Sequence, residues 1–142
     1  MELEIKNHLF LVCGATSGFG NAVAEALLKE GARIIAVART EEKLQALQQL
    51  YPYQTEIVTG DVTQSSTIAG IMNIVGNRRI EGALINAGGP PSLAALETSL
   101  KDWDDAYTNV LRWKIELTKA LLPKMMEHHY GRIVFIESAS VK

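Results

Sequence analysis

The stretch that decides the fold is Cys13-Gly14-Ala15-Thr16-Ser17-Gly18-Phe19-Gly20, which follows the short apolar run His8-Leu-Phe-Leu-Val-Cys13 and precedes a segment of helical periodicity. A glycine-rich turn between a strand and a helix predicts a tight turn at Gly14, a close approach of a ligand to the backbone at Gly18, and close helix–strand packing at Gly20. Free N–H groups at the start of the following helix favour phosphate groups. The sequence therefore predicts a phosphate-binding loop.

Four further apolar runs lie along the chain. They are continuous rather than alternating, which is typical of strands that are buried on both faces of a sheet. The sequence therefore predicts five strands, at residues 8–13, 33–38, 55–59, 82–86 and 132–136.

Segments with helical spacing separate the predicted strands. The apolar residues that we expect to face inward are Phe19, Val23, Ala26 and Leu27 in the first helix, Leu44, Leu47 and Leu50 in the second, Ile68, Ile71, Met72 and Val75 in the third, and Trp103, Tyr107, Val110, Leu117 and Leu121 in the fourth.

The helix starts carry capping residues. Thr40 and Thr63 are predicted to cap the second and third helices, and Ser99 with Asp102 predicts a capping box for the fourth. The predicted ends are marked by Gly31, Pro52, Gly76 and, as a stop or a kink, Pro123.

Strands and helices alternate along the chain, which predicts parallel strands joined by right-handed crossovers. The predicted class is therefore α/β, with a doubly wound parallel sheet in a single domain over residues 1–142. In such a sheet a ligand lies at the carboxyl ends of the strands, where the strand order reverses.

Composition excludes several classes of protein. The chain has 142 residues, 47% of them hydrophobic, and its net charge of −2 without a basic run predicts no binding to nucleic acid or an anionic membrane. A single cysteine favours a reducing compartment, and the acidic start Met1-Glu-Leu-Glu4 is unlike a signal peptide, so we expect a cytoplasmic protein. His128 and His129 are adjacent and do not converge on one point, so no metal site is predicted.

The glycines have the spacing G-x-x-x-G-x-G, and three more motifs follow in order: Asp61-Val62, Asn86-Ala87-Gly88, and Gly131-Arg-Ile-Val-Phe-Ile-Glu-Ser138. In these motifs the chain resembles the short-chain dehydrogenases/reductases over its whole length. The resemblance implies a Rossmann-like NAD(P)-binding domain with strand order 3-2-1-4-5. It also implies hydride transfer to or from a carbonyl or hydroxyl group of a small-molecule substrate.

The given chain stops after the fifth strand, so we expect the domain to be incomplete at its C-terminus. The fifth strand is then an apolar sheet edge. We expect self-association, and a homo-oligomer.

The resemblance assigns cofactor contacts to these motifs. Asp61 would accept a hydrogen bond from the adenine amino group with Val62 beside the ring, and a helix-start role for Asp61 is compatible with this. The cofactor-binding residues that the resemblance implies are Gly14, Thr16, Ser17, Gly18, Phe19, Gly20, Arg39, Asp61, Val62, Asn86, Ala87 and Gly88.

Cofactor choice depends on the residues after the second strand, where a carboxylate holds the ribose 2′-hydroxyl of NAD and a cation holds the 2′-phosphate of NADP. This chain has Ala38-Arg39-Thr40 there. Charge-assisted hydrogen bonds from Arg39 favour NADP(H) over NAD(H) by roughly 10–100-fold. Alternatively, Arg39 is a surface charge near Glu42.

The family's catalysis uses a Ser, a Tyr, a Lys and an Asn. Ser138 matches the Ser, with Ser140 as a neighbouring alternative. Counting from Trp103, the Asn position falls on Val110, so we expect it to be lost unless a local irregularity brings Asn109 into place.

The family's Tyr-x-x-x-Lys pair is not in this sequence. Losing a general acid costs about 10²–10⁴ in rate, so we expect the given chain to be a poor oxidoreductase or none. Three functions stay open: the N-terminal part of an NADP-dependent reductase, an NADP(H)-binding or sensing module, and an associating pseudoenzyme. Residues 86–91 and 138–142 are similar to an atypical branch of the family in which the Tyr and Lys are often replaced.

Overall fold

The computed structural model describes residues 3–89 and 92–138, and strands and helices alternate along them as predicted. The elements are β1 (Leu9–Cys13), α1 (Gly18–Lys29), β2 (Arg33–Ala38), α2 (Glu41–Leu50), β3 (Thr55–Thr59), α3 (Ser65–Val75), β4 (Gly82–Ile85), a 3₁₀ turn (Ala95–Glu97), α4 (Leu100–Tyr107), a π-helix (Thr108–Arg112), α5 (Trp113–Glu127) and β5 (Arg132–Phe135).

The five strands form one parallel sheet in the order β3-β2-β1-β4-β5, which confirms the predicted class and strand order. Leu11 of β1 lies opposite Ile35 of β2 on one side and Ala83 of β4 on the other. The strand order reverses at β1, so a crevice opens between the carboxyl ends of β1 and β4.

Hydrophobic side chains cover both faces of the sheet. Successive strand residues point to opposite faces, so Leu11 packs under α3 and α5 while Val12 packs under α1 and α2. This two-sided burial explains why β1, β2 and β4 are continuous apolar runs, whereas β5, at the edge of the sheet, is largely exposed, contrary to the prediction.

The inward face of α1 differs from the prediction. The buried residues are Gly20, Ala24 and Leu28, with Val23 and Leu27 half-buried beside them. Phe19 and Ala26 are exposed. Small residues at 20 and 24 bring the helix close to the sheet, and this close approach sets the buried stripe one residue later than the large apolar residues indicate.

The second and third helices follow their predicted faces, except that Leu50 is 75% exposed. Their caps differ. Thr40 holds the N-cap position of α2 but makes no side-chain capping bond. Thr63 is not a cap, because Gln64 precedes α3 and the Thr63 side chain bonds to Asp61 instead.

The predicted long fourth helix is three segments. The capping box is confirmed, since the Asp102 N–H donates to Ser99 Oγ and the Ser99 N–H donates to Asp102 Oδ2. Trp103 and Tyr107 are exposed, while Trp113 is fully buried. The π-helix rotates the apolar face of α4 relative to that of α5, so the two faces do not form one continuous stripe. Pro123 does not end α5, which continues to Glu127.

Candidate functional site

A cleft of about 640 Å³ lies at the carboxyl ends of the strands, where the order reverses. Among the sequence-predicted residues, it is lined by Gly14, Thr16, Ser17, Gly18, Phe19, Arg39, Asp61, Val62, Asn86, Ala87 and Gly88. Gly20 and Ser138 do not line it. The structure thus brings almost all of the predicted residues to one place.

The loop after β1 requires its glycines. Gly14 and Gly18 have φ angles of 66° and 51°, in the left-handed region that favours glycine. A Cβ atom at Gly18 would meet nothing within 4 Å, so the backbone there faces open space. A Cβ atom at Gly20 would lie 2.1 Å from the carbonyl oxygen of Gly14, so only glycine fits beneath the loop.

Helix α1 points its amino end into the cleft. Its N-cap is Ser17, whose side chain makes no capping hydrogen bond. The first N–H groups of a helix have no intrahelical acceptor, and the helix dipole adds positive potential there. This end of the cleft therefore suits a phosphate-bearing group.

Two cations line the cleft at the end of β2. Arg39 follows the strand directly, and Lys43 lies in the first turn of α2. Both residues are exposed. Of the described residues that line the cleft, Asp61 alone carries a carboxylate.

Asp61 forms a turn before α3. Its Oδ1 atom accepts hydrogen bonds from the Thr63 N–H at 2.9 Å and the Thr63 hydroxyl at 2.8 Å. The side chain is therefore oriented through one oxygen, which leaves Oδ2 to accept a further bond. Val62 is buried beside it.

The end of β4 packs against the loop after β1. A Cβ atom at Gly14 would lie 2.9 Å from Asn86 Nδ2 and 3.0 Å from the Asn86 carbonyl oxygen. The neighbouring Cys13 is fully buried, and burial raises the pKa of its thiol to about 12. This thiol stays protonated and is part of the core, not a nucleophile.

The π-helix brings Asn109 to the cleft, whereas Val110 does not line it. A π-helical turn holds an extra residue, which rotates the preceding residues by about 100° relative to α5. The indole N–H of Trp113 donates to the Asn109 carbonyl oxygen at 3.0 Å. The local irregularity that the sequence leaves open is therefore present.

Ser138 follows β5 and is exposed. The preceding Glu137 pairs with buried Lys114 of α5, with Nζ and Oε1 2.5 Å apart. This ion pair anchors the chain just before Ser138. Ser140 lies outside the described residues.

Three polar cleft residues are not assigned by the sequence motifs: Thr40, Lys43 and Thr63. The sequence spacing of two of them could have indicated a position at the cleft. Lys43 lies four residues after Arg39, about one helical turn. Thr63 lies two residues after Asp61, the spacing of a side-chain turn.

The described part of the chain holds no group of three or more His, Cys, Asp or Glu that could bind a metal ion. None of the helices in residues 3–89 and 92–138 is both long and apolar enough to cross a membrane.

Comparison with known proteins gives the same family as the motifs. The family model described as short chain dehydrogenase matches residues 8–142. An uncharacterized oxidoreductase of Staphylococcus epidermidis is 27% identical over 139 residues, which cover 96% of this chain and 60% of that protein. The NADP-dependent 3-hydroxy acid dehydrogenase YdfG of Salmonella typhi is 32% identical over 135 residues, covering 93% of this chain and 54% of that protein.

A solved structure of the same family has a similar fold. A short-chain dehydrogenase from Streptomyces avermitilis superposes with a TM-score of 0.86 at 36% identity, covering 94% of this chain and 50% of that one. The chain thus spans between 50% and 60% of the length of these proteins. Because the family model covers nearly all of it, the chain belongs to the short-chain dehydrogenase/reductase family.

Proposed function

We propose that this chain forms the NADP(H)-binding part of an oxidoreductase that acts on a carbonyl or alcohol group of a small molecule. The observation that carries the proposal is one cleft that joins a glycine loop at a helix start to two cations, Arg39 and Lys43. When bound, NADP(H) supplies or accepts the hydride. Residues 1–142 would make up one cofactor-binding unit of the whole protein.

The loop residues fit a pyrophosphate. Open space at Gly18 lets a phosphate approach the backbone without meeting a side chain. The N–H groups at the start of α1 would donate to its oxygens, and the Thr16 and Ser17 hydroxyls line the same part of the cleft. Phe19, exposed at the cleft, would cover the cofactor from one side.

The remaining walls of the cleft fit the nucleoside parts. Asp61 would accept a hydrogen bond from the adenine amino group through Oδ2, with Val62 beside the ring. Asn86, Ala87 and Gly88 would line the ribose on the other side of the crevice.

The charges at the end of β2 favour NADP(H). Arg39 and Lys43 would both donate to the ribose 2′-phosphate, and the one carboxylate among the described lining residues, Asp61, already accepts two hydrogen bonds from Thr63. The relative from Salmonella typhi is named as NADP-dependent, which supports this choice. Each charge-assisted contact is expected to favour NADPH over NADH by about tenfold.

Separate substitutions at the two cations test the proposal. Dissociation constants of NADPH and NADH are measured for the chain, for Arg39→Gln and for Lys43→Gln. Lys119→Gln, an exposed residue of α5, is the charge-matched control. We expect each cleft variant to weaken NADPH binding by about tenfold and to leave NADH binding within about twofold. An equal effect on both cofactors, or tighter binding of NADH by the unaltered chain, would contradict the proposal.

The substrate side of the site rests on two residues. Ser138 would donate a hydrogen bond to the substrate oxygen, held near β4 by the parallel pairing of β4 with β5. Asn109, at the cleft wall, would orient a water molecule beside the reacting oxygen.

A further inference from the structure

A second cleft lies at the opposite end of the sheet, where β1, β2 and β4 begin. Its volume is about 220 Å³, and the charged side chains that line it are Arg33, Arg78, Arg79, His8 and Glu81. The strands are parallel and β1 has five residues, so the two clefts are separated by about 16 Å along the strands. This second cleft is therefore separate from the proposed cofactor site.

The cleft carries an excess of positive charge. Three guanidinium groups face one lining carboxylate, that of Glu81, which leaves two positive charges in excess before His8 is counted. Glu56 lies behind the lining and pairs with Arg78, and one positive charge still remains when Glu56 is counted. This excess positive charge favours the binding of an anion in the second cleft.

Existing contacts hold the arginines in place. Arg78 donates to both oxygens of Glu56, at 2.6 and 2.8 Å, and to the Ile74 carbonyl oxygen. The Nε atom of Arg79 lies 2.9 Å from Glu81, whose side chain is 8% exposed, and its guanidinium stacks over the Tyr130 ring at 5.4 Å. Donors that are already fixed lose little conformational entropy when a ligand binds.

Two guanidinium groups have capacity for a ligand. The described contacts of Arg79 engage Nε, and the described contact of Arg33 is a long one, 3.4 Å from Nη2 to Glu56. Their side chains are 48% and 43% exposed. Arg33 begins β2 and Arg79 precedes β4, so they flank His8 at the start of the strand between them.

We propose that this second cleft binds a small phosphate-type oxyanion. A guanidinium fork donates two parallel hydrogen bonds to such a group, which a lysine cannot do. Pockets for larger organic ligands are about 300–1,000 Å³, so the smaller volume suits a phosphate group alone or at the tip of a ligand. The site is independent of the proposed cofactor binding.

Inorganic phosphate is titrated into ¹⁵N-labelled chain at constant ionic strength kept with chloride. We expect saturable shifts of the amides of His8, Arg33 and Arg79. The amide of Gly18 reports the other cleft separately, so binding at the two sites is distinguished residue by residue. Glycerol 3-phosphate is the second probe: tighter binding than phosphate assigns the site to a phosphate ester, and equal binding assigns it to free phosphate.

Variants at Arg33 complete the test, because Glu56 keeps its stronger partner Arg78 when Arg33 is changed. Arg33→Gln is expected to weaken phosphate binding by about tenfold, and Arg33→Lys by less, while Lys119→Gln leaves it unchanged. The amide spectra of both Arg33 variants report whether the fold is kept. Absence of saturable shifts near His8, or equal affinity in Arg33→Gln and Lys119→Gln, would overturn the proposal without bearing on NADPH binding.

Discussion

Gly20 marks the closest approach of α1 to the loop after β1. An added Cβ atom would lie 2.1 Å from one backbone oxygen and 3.0 Å from another, so Gly20→Ala is expected to destabilise the fold by about 1–3 kcal/mol. Gly70 of α3 is the matched control, since its Cβ atom would meet only Val58, at 3.9 Å. Gly70→Ala is expected to stabilise the helix by about 0.5–1 kcal/mol. Urea unfolding measures both, and equal effects would refute the packing role of Gly20.

Glu56 gives the stability of the chain a dependence on pH. The hydrogen bonds from Arg78 hold the pKa of its carboxyl below the usual value of 4.5. A pKa lowered in the folded state contributes stability above pH 4.5, and this contribution is lost as the pH falls through the lowered value. For this partly exposed pair we expect Glu56→Gln to cost about 0.5–1 kcal/mol at pH 7 and less at pH 3.

The control for that experiment is Glu127→Gln, at an exposed position near the end of α5. The free energies of unfolding of both variants and of the unaltered chain are measured between pH 7 and pH 3. If the loss of unfolding free energy caused by Glu56→Gln stays constant over this pH range, the ion pair is not its cause.

At single residues, the motifs predict the cleft well because glycines in a strand-to-helix turn and polar residues at strand ends have few alternative uses. Eleven predicted residues line the cleft together. Lys43 is not predicted because the cofactor motif after β2 ends at Arg39, about one helical turn before Lys43. Ser138 lies at the predicted strand end but outside the cleft lining.

Among the elements, the start of α4 depends most on one side chain. The Ser99 hydroxyl accepts from the Asp102 N–H at 3.2 Å, and Ser99→Ala is expected to cost about 1 kcal/mol. Thr40→Ala is the matched control, because Thr40 holds the same position in α2 without a side-chain capping bond. Thermal unfolding followed by circular dichroism compares the two. A loss of stability for Thr40→Ala as large as that for Ser99→Ala would contradict the capping role of Ser99.

The π-helix sets the position of Asn109. Deleting Leu111 removes the extra residue, so residues 100–110 rotate by about 100° and Asn109 leaves the cleft. We expect the side-chain amide of Asn109 to shift on addition of NADP⁺ in the unaltered chain and not in the deletion variant. The Asn86 amide should shift in both and serves as the control. A shift of Asn109 in the deletion variant would contradict this role of the π-helix.

Strands are predicted more accurately than helix faces in this chain. The bounds of β1, β4 and β5 differ from the sequence prediction by only one residue each, because each strand is an unbroken apolar run in the sequence. Which face of a helix is buried depends also on how closely the helix packs against the sheet and on whether its turns are regular. Gly20 and Ala24 shift the face of α1, and the π-helix breaks the period on which the stripe from Trp103 rests.

At the scale of residues 1–142 as a unit, we expect the exposed edge of the sheet to favour association of chains. In the described part of the chain β5 pairs with β4 alone, and Val134 and Phe135 are 53% and 44% exposed. We expect sedimentation to show dimers or larger species at tens of micromolar. Val134→Lys should reduce them, and Tyr53→Lys, at an exposed position in the turn before the other edge strand β3, should not. A clean monomer of the unaltered chain would contradict this expectation.

The order of the strands follows from the alternation of elements and the family resemblance together. Alternation alone predicts parallel strands, and the motif order adds the reversal at β1 that opens the cleft. The second cleft has no such signature, because Arg33, Arg78 and Arg79 come together only when the strands align.

The most direct test of cofactor binding is the melting temperature of the chain with NADPH or NADH at about 1 mM. A ligand at 100 times its dissociation constant adds about 2.7 kcal/mol of stability, which corresponds to a rise of several degrees. We expect both cofactors to raise the melting temperature, and NADPH to raise it further. No change with either cofactor, or a larger rise with NADH, would contradict the account.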